Sequence, residues 1–358
     1  MKQNHVYSFL IHCCVVFLSV VLSGLLVVAL PAQGAIILQY HHVSSNTPPI
    51  TSVSVQTFTA HMNYLKTNQF KVIPLPQLLE KIINKQSIGD KVVVITFDDG
   101  YRDVYEHARP ILKQLDWPYT VFINPQFINQ RYANHMSWEQ LRQITTERAT
   151  IANHTMKHDY LVRVPSGLDK SQWHKSIVQD INQAQQIIDT QISQQPHPRY
   201  KMLAYPYGEY DTMIEQVLSD NDFFGFGQHS GAVGPLTPLT RIPRFPASGI
   251  YANLETLSVK LNALAMPITA SINTNPVFSQ NPPTLTLSVD TSDFLPANVQ
   301  CFYAGSQRAL IKWVTPQQFS VTANEPLPLQ RSRYNCTAPS IAKPGRYYWF
   351  SQLWINQH

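Results

Sequence analysis

Two adjacent aspartates close an apolar run in the stretch VVVITFDDGY, Val92 to Tyr101. The run is rich in β-branched residues and predicts a buried strand that ends at the carboxylate pair. Because side chains alternate across a strand, Asp98 and Asp99 are expected to point in different directions. One carboxylate is then free to hold a ligand while the other takes part in a reaction.

Two histidines four residues apart, His154 and His158 in HTMKH, are the second candidate group. This spacing predicts that both imidazoles lie on one face of a helical turn and bind one metal ion. In this interpretation Asp99 supplies the third ligand, which leaves one position open for water or substrate. A histidine pair at this spacing is by itself more often solvated or part of a core. Its combination with a DDG at a strand end favours a metal site.

The elements that must position these residues alternate between strand and helix patterns from Ala35 to Ile268. Such alternation predicts a parallel α/β fold, either a barrel or a doubly wound sheet. In both folds the functional residues collect at the carboxyl ends of the strands. The segments HH, DDG, NHTMKH and YPYG each follow an apolar run, so they are expected to share one face.

The N-terminal segment is apolar and follows a single lysine, Lys2. Residues 1–34 are predicted to be a secretory signal that is cleaved after Gly34, or an uncut signal anchor. The protein is therefore expected to be exported, to the periplasm, the cell envelope or the medium, with membrane contact only through an uncleaved N-terminus. The net charge of +5 is spread over singly placed lysines and arginines, which argues against nucleic acid as a partner.

The C-terminal part has a different pattern, in which a proline-rich stretch precedes short alternating strands without helical periodicity. We predict a linker at 269–283 and a small all-β, immunoglobulin-like sandwich at 284–358. Two of the four cysteines lie in the N-terminal apolar segment. The other two, Cys301 and Cys336, are predicted to form a disulfide in an oxidising compartment rather than to remain as free buried thiols.

Three motifs in order, TFDDG, then HTxxH, then a PYG segment, resemble those of the polysaccharide deacetylases, carbohydrate esterase family four. The resemblance covers residues 35–268. It implies a distorted (β/α) barrel and one divalent metal, commonly zinc, with cobalt or nickel as alternatives. It also implies an activity, the removal of acetyl groups from N-acetylglucosamine units.

The roles of the site residues follow from this resemblance. Asp98 resembles the general base of the family, and the backbone amide of Tyr207 in YPYG resembles the donor that stabilises the tetrahedral oxyanion. The residues that resemble the metal ligands are Asp99, His154 and His158.

Two departures from the family pattern concern the base and the acid. Many relatives carry an arginine before the proline of the third motif, but this chain reads AYPYG. Arg244 in RIPRFP is the candidate replacement, by pairing with Asp98, and the alternative is an ordinary surface or interdomain ion pair. A late Leu-x-His segment, which supplies the acid in many relatives, is also missing. His41 in QYHHVS resembles the acid of the biofilm poly-β-1,6-N-acetylglucosamine deacetylases, and near its ordinary pKa it can protonate the departing amine.

The sequence therefore predicts an exported, metal-dependent enzyme that removes N-acetyl groups from an extracytoplasmic polysaccharide resembling poly-β-1,6-N-acetylglucosamine. One alternative is a peptidoglycan deacetylase, which would use the same residues. The other is a non-catalytic carbohydrate-binding protein on the same fold. The intact carboxylates and histidines argue against this last alternative, because a binding module needs no base beside a metal. The C-terminal sandwich is expected to give structural support.

Overall fold

A computed structural model of the protein describes residues 34–193, 200–272 and 274–357. The predicted signal or anchor segment, up to residue 33, lies outside the described residues. Within the described ranges, no helix combines the length and the apolar character that crossing a membrane requires.

The first part of the fold is built on a parallel sheet, as the alternation of strand and helix patterns predicted. Its strands are β1 (Ala35–Tyr40), β4 (Lys71–Val72), β5 (Val92–Phe97), β6 (Tyr119–Ile123), β7 (Ala149–Asn153), β8 (Lys201–Ala204), β9 (Phe223–Phe226) and β10 (Phe245–Pro246). They lie in the order β10-β1-β5-β6-β7-β8-β9, with β4 beside β5. The short strands β2 (His42–Val43) and β3 (Ser52–Val53) pair with each other. The result is a half-barrel of parallel strands.

The strands at the centre of this sheet are buried on both faces. All six residues of β1 and all six of β5 are buried, as expected for parallel strands covered on both sides. Their register pairs Tyr40 with Phe97, so the two strands end at the same level. A short segment also links the two edges of the sheet, because Ile242 bridges to Phe226 of β9 while Phe245 pairs with Leu38 of β1.

Helices cover this sheet between the strands. They are α1 (Val55–Thr67), α2 (Leu75–Ile83), α3 (Arg109–Gln114), α4 (Pro125–Asn129), α5 (Trp138–Thr145), α6 (Lys170–Gln191), α7 (Thr212–Asp220) and α8 (Leu254–Leu261). The start of α6 shows why the sequence folds in this way, since Asp169 and Gln172 form a reciprocal capping box that satisfies amides at the helix N-terminus. Shorter helical turns are π-helical at Val104–Ala108 and 3-10 at Pro206–Gly208, Gly249–Tyr251 and Pro296–Asn298.

The C-terminal part is an all-β region with two sheets around one core. Its strands are β11 (Leu264–Ala265), β12 (Ile268–Ile272), β13 (Thr284–Val289), β14 (Gln300–Tyr303), β15 (Gln307–Arg308), β16 (Leu310–Thr315), β17 (Gln318–Thr322), β18 (Gln330–Pro339) and β19 (Tyr347–Asn356). One sheet has the order β11-β19-β18-β14-β15 and the other β12-β13-β17-β16. Leu287, Phe319 and Trp354 belong to the core between them. The predicted disulfide between Cys301 and Cys336 is confirmed, and it joins β14 to β18.

Two features of the β region differ from the sequence pattern. Strand β12 runs from Ile268 to Ile272, into the start of the predicted linker. The long strand β18 was not among the predicted strands, although its residues alternate between buried and less buried positions. The described residues of both parts form one compact unit.

Candidate active site

The candidate residues meet at the carboxyl edge of the parallel sheet. His41 follows β1, Asp98 follows β5 and His154 follows β7, while Tyr207 lies in the turn after β8. Arg244 directly precedes β10, which pairs with β1. The structure therefore brings together the residues that the sequence predicted to share one face.

The loops of this edge hold several non-glycine residues in the left-handed backbone region. Such conformations cost free energy and persist only where surrounding contacts determine them. The residues and their φ angles are Asp99 at 70°, Thr155 at 66°, His158 at 62° and Tyr207 at 58°. Asp99 and His158 are two of the three candidate metal ligands, and the Tyr207 ring packs against His158.

The histidine pair lies on an irregular loop, so the predicted helical turn is wrong. Local side-chain hydrogen bonds explain the difference. The Asn153 side chain accepts a hydrogen bond from the Thr155 amide at 2.8 Å, and the Thr155 hydroxyl accepts one from the His158 amide at 3.0 Å. Such bonds compete with the helical backbone pattern. The histidines still converge, because the loop folds back on itself.

Asp99, His154 and His158 form a cluster whose donor atoms suit one metal ion. Asp99 Oδ1 lies 3.3 Å from His154 Nε2 and 3.4 Å from His158 Nε2, and the three donor atoms lie within 4.8 Å of one another. His154 Nδ1 donates to the Ala204 carbonyl at 2.7 Å, which leaves the Nε2 lone pair facing the carboxylate.

Two buried atoms of this cluster, Asp99 Oδ1 and His154 Nε2, have no hydrogen-bond partner among the described residues. Buried polar atoms are normally paired, and two facing acceptors need a cation between them. The donor set therefore fits a metal ion.

The charge states of two of the three ligands, His158 and Asp99, agree with metal binding. Burial and the neighbouring His154 lower the pKa of His158 to about 4, so its imidazole is neutral at neutral pH. Burial alone would raise the pKa of Asp99, but the surrounding histidines hold it well below its usual range. A neutral imidazole and an ionised carboxylate are the forms that bind metals. Burial alone would lower the pKa of His154, but Asp99 and Asp98 beside it raise that pKa, so a metal ion competes with a proton at this ligand.

Asp98 faces a different set of partners from Asp99. Its carboxylate is fully buried and accepts two hydrogen bonds from Arg244, from Nη1 at 2.7 Å and from Nη2 at 2.9 Å. Burial alone would raise the pKa of Asp98, but the Arg244 guanidinium beside it contributes to lowering that pKa to about 2. Arg244 is itself fully buried, which excludes the alternative of a surface ion pair.

Gln39 is a site residue that the sequence reasoning missed. Its Nε2 donates to Asp98 Oδ2 at 2.6 Å, and its side chain is buried in β1. A signal was present, because an amide in the middle of a fully buried strand needs a polar partner. The glutamine therefore fixes the second oxygen of Asp98.

The two histidines after β1 face different neighbours. His41 Nε2 lies 3.9 Å from Asp98 Oδ2, whereas His42 Nδ1 contacts Asp103 at 2.6 Å. Burial lowers the pKa of His41 although both nearby carboxylates act in the opposite direction. The expectation that His41 titrates near its ordinary pKa is therefore wrong. His42 lies outside the contacts of Asp98 and pairs with Asp103 instead.

Tyr207 presents its backbone amide at the same edge. Among the described residues, no acceptor receives this amide. The ring packs against His158 with centroids 4.5 Å apart and stacks on Tyr160 at 3.8 Å. Gly208 follows at φ 71°, where a Cβ would lie 2.6 Å from the Gln228 side chain, so a glycine is required there. The Tyr207 amide is thus free to donate a hydrogen bond to a ligand beside the candidate metal ligands.

Comparison with known proteins agrees with these features. The family model described as Polysaccharide deacetylase matches residues 85–224. A poly-β-1,6-N-acetyl-D-glucosamine N-deacetylase of Staphylococcus epidermidis is 30% identical over 207 residues, covering 55% of this chain and 68% of that protein. An Escherichia coli K12 protein of the same name is 21% identical over 251 residues, covering 60% of this chain and 36% of that protein.

The structure of IcaB from Ammonifex degensii has the same fold, with a TM-score of 0.56 at 21% identity, covering 64% of this chain and 97% of that one. The chain belongs to the polysaccharide deacetylase family. It spans only about a third of the length of the Escherichia coli relative.

Proposed function

We propose that the protein hydrolyses N-acetyl groups on N-acetylglucosamine units of an extracytoplasmic polysaccharide similar to poly-β-1,6-N-acetylglucosamine. The observation that carries this proposal is the placement of an ionised carboxylate, Asp98, directly beside a metal-binding cluster. Relatives named as poly-β-1,6-N-acetyl-D-glucosamine N-deacetylases support the choice of polymer.

Asp99, His154 and His158 would hold one divalent ion, for which we propose zinc. Two imidazoles and one carboxylate with an open position are a common ligand set of catalytic zinc, and imidazole also suits cobalt and nickel. When bound, the ion would polarise the acetamide carbonyl and lower the pKa of a water molecule.

Asp98 acts as the general base. It is ionised at neutral pH, and its two oxygens are oriented by Arg244 and Gln39. A carboxylate held in this way can take the proton of the attacking water without first reorganising its own contacts. Arg244 thus replaces the arginine that is missing from the third motif.

Two further groups complete the reaction. The Tyr207 amide donates a hydrogen bond to the oxyanion of the tetrahedral intermediate. His41 delivers a proton to the departing amine, and its position 3.9 Å from Asp98 supports this role. Because burial lowers its pKa, His41 is mainly neutral at neutral pH. The proton that Asp98 takes from the attacking water therefore passes to His41, which then gives it to the amine as the C–N bond breaks.

The domain and fold assignments belong to the same proposal. We assign 35–268 to a distorted (β/α) barrel, which the link between the two sheet edges supports. We assign 269–283 to a linker and 284–358 to an immunoglobulin-like sandwich, supported by two sheets around one core. Residues 1–34 are assigned to a signal peptide or anchor that places the protein outside the cytoplasm.

The experiment that tests this proposal is acetate release from β-1,6-linked N-acetylglucosamine oligomers, β-1,4-linked oligomers and peptidoglycan fragments, with and without added zinc. Zinc-dependent release that prefers the β-1,6 series is expected. Preference for peptidoglycan fragments would favour the first alternative. Absence of acetate at any metal loading, from all these substrates, would favour the non-catalytic binding protein.

A further inference from the structure

One face of β18 in the β region lies against the loops of the active site. Arg331 Nη1 donates to the Tyr207 carbonyl, and its Nε lies 3.7 Å from Glu209 Oε1. Arg333, two residues on and therefore on the same side of the strand, donates from Nη1 to the Gln228 carbonyl at 3.3 Å. The β region thus contacts the turn that carries the candidate oxyanion donor.

Glu209 connects this contact to the loop that carries two of the candidate metal ligands, His154 and His158. Its carboxylate is fully buried and accepts two hydrogen bonds from Arg163, from Nε at 3.0 Å and from Nη2 at 2.5 Å. Arg163 lies on the loop that follows His158, and its Cζ atom lies 4.0 Å from the centroid of the Tyr160 ring. A buried carboxylate depends on its paired cations, since an unpaired buried charge is strongly unfavourable. Glu209 therefore ties the histidine loop to the Tyr207 turn, and Arg331 adds the β region to this junction.

The Tyr207 turn needs such external contacts. Tyr207 and Gly208 are consecutive left-handed residues, with φ angles of 58° and 71°. A left-handed non-glycine residue persists only where its surroundings hold it. The Arg331 hydrogen bond fixes the carbonyl of Tyr207, and the amide of the same residue is the one proposed to stabilise the oxyanion. The direction of that amide is therefore linked to a side chain of the β region.

We propose that Arg331 is a positioning residue of the active site. The β region then contributes to catalysis in addition to supporting the structure. Arg331 holds the Tyr207 carbonyl and Glu209, and through them it sets the direction of the Tyr207 amide. This inference rests on the proposed deacetylase function.

The test compares the full chain with the variants Arg331→Ala, Arg331→Lys and Arg346→Ala. Arg346 is the matched control, because it also joins the β region to the α/β part, donating to Asp90 at 2.6 Å and to the Asn262 carbonyl at 2.8 Å. That contact lies at the amino end of β5, opposite the edge that carries the site. Two kinds of measurement are made for each variant: the kinetics of acetate release, as kcat and KM, and hydrogen exchange of backbone amides in the segment 205–211. Bound metal is measured as a check.

We expect Arg331→Ala to lower kcat roughly 10- to 100-fold with little change in KM, less than the ~100- to 1,000-fold cost of losing an oxyanion donor altogether. Amides of the segment 205–211 should exchange faster in this variant, while bound metal stays unchanged. Arg331→Lys, which keeps a donor, should recover part of both effects. Arg346→Ala should match the wild type in both measurements.

Unchanged kcat and exchange in Arg331→Ala would overturn the inference, and so would a fall in kcat without faster exchange. A raised KM at constant kcat would also overturn it, because Arg331 would then contact the polymer directly. If the wild type releases no acetate, the proposed function fails, and exchange alone decides the inference. Faster exchange in Arg331→Ala would then support the positioning role, and equal exchange would contradict it.

Discussion

Asp98 and Asp99 are neighbours in the chain, yet the structure gives them separate partners. Asp98 faces Arg244 and Gln39, while Asp99 faces the two histidines. Successive side chains point in different directions at the end of a strand. The left-handed backbone at Asp99 separates the two carboxylates further. This separation allows one aspartate to hold a metal ion and the other to act as a base.

The metal assignment predicts a joint loss of metal and activity. Asp99→Ala, His154→Ala and His158→Ala each remove one of three ligands, so bound zinc and acetate release should fall together. Metal analysis of the purified variants measures the first effect. Asp159→Ala is the control, since Asp159 is an exposed carboxylate one residue past His158 and outside the cluster. Full activity in a ligand variant without bound metal would disprove the assignment.

The orientation of Asp98 predicts a milder effect at Gln39. Gln39→Leu removes one of three hydrogen bonds to Asp98 and leaves the charged pair with Arg244, so kcat should fall by roughly 10-fold with the metal retained. Substitution of Arg244 should cost more, because charge-assisted bonds are stronger. Steady-state kinetics with metal analysis measures both. A larger loss in Gln39→Leu than in Arg244→Lys would show that the contacts of Asp98 have been ranked wrongly.

The sequence predicted the site residues that lie in recognisable motifs at strand ends. It missed the residues whose role is visible only from their contacts in the folded structure. Gln39 lies 59 positions from Asp98, and Arg331 lies 124 positions from Tyr207. Pairs this distant in the chain leave no local spacing to read. Arg244 was named as a candidate because the arginine missing from the third motif suggested a replacement elsewhere in the chain.

At the scale of elements, the periodic patterns predicted the alternation of strands and helices and the parallel sheet, but not the loop of the histidine pair. There the side chains of Asn153 and Thr155 provide local hydrogen bonds that replace the helical ones. Strand β18 was missed, although its sequence alternates and Tyr334, Cys336 and Ala338 are buried in the structure. Short turns set by single side chains are harder to predict than periodic segments.

Helix α6 contacts the histidine loop through Asp180, a carboxylate whose pKa is raised. Asp180 accepts a hydrogen bond from the Met156 amide at 2.7 Å, and burial raises its pKa to about 6. The folded state therefore binds more protons than the unfolded state between about pH 4 and pH 6, and this group makes stability fall as pH rises through that window. Asp180→Asn should remove this part of the pH dependence.

Denaturant unfolding of the wild type and Asp180→Asn at several pH values measures this effect. The stability of the two proteins should converge towards pH 4 and diverge towards pH 6, with the variant the more stable at the higher pH. A constant difference across the window would contradict the titration of Asp180.

At the scale of the whole molecule, the α/β part and the β region are expected to unfold together. Arg346 of the β region donates to Asp90 of the α/β part at 2.6 Å, and Trp349 packs against Phe245 with ring centroids 5.4 Å apart, so the two parts contact each other. Scanning calorimetry should show one cooperative transition. Reduction of the Cys301–Cys336 disulfide should lower the stability by roughly 2 to 4 kcal/mol. Two separate transitions, with only one sensitive to reductant, would show that the parts fold independently.

The central claim is that Asp98 is the base of a metal-dependent deacetylase. The most direct test measures acetate release and bound zinc together in the wild type and Asp98→Asn. We predict that the variant keeps its zinc and loses turnover by roughly 100- to 10,000-fold, the range for a positioned acid or base. An Asp98→Asn protein that binds zinc and releases acetate at the wild-type rate would contradict the claim.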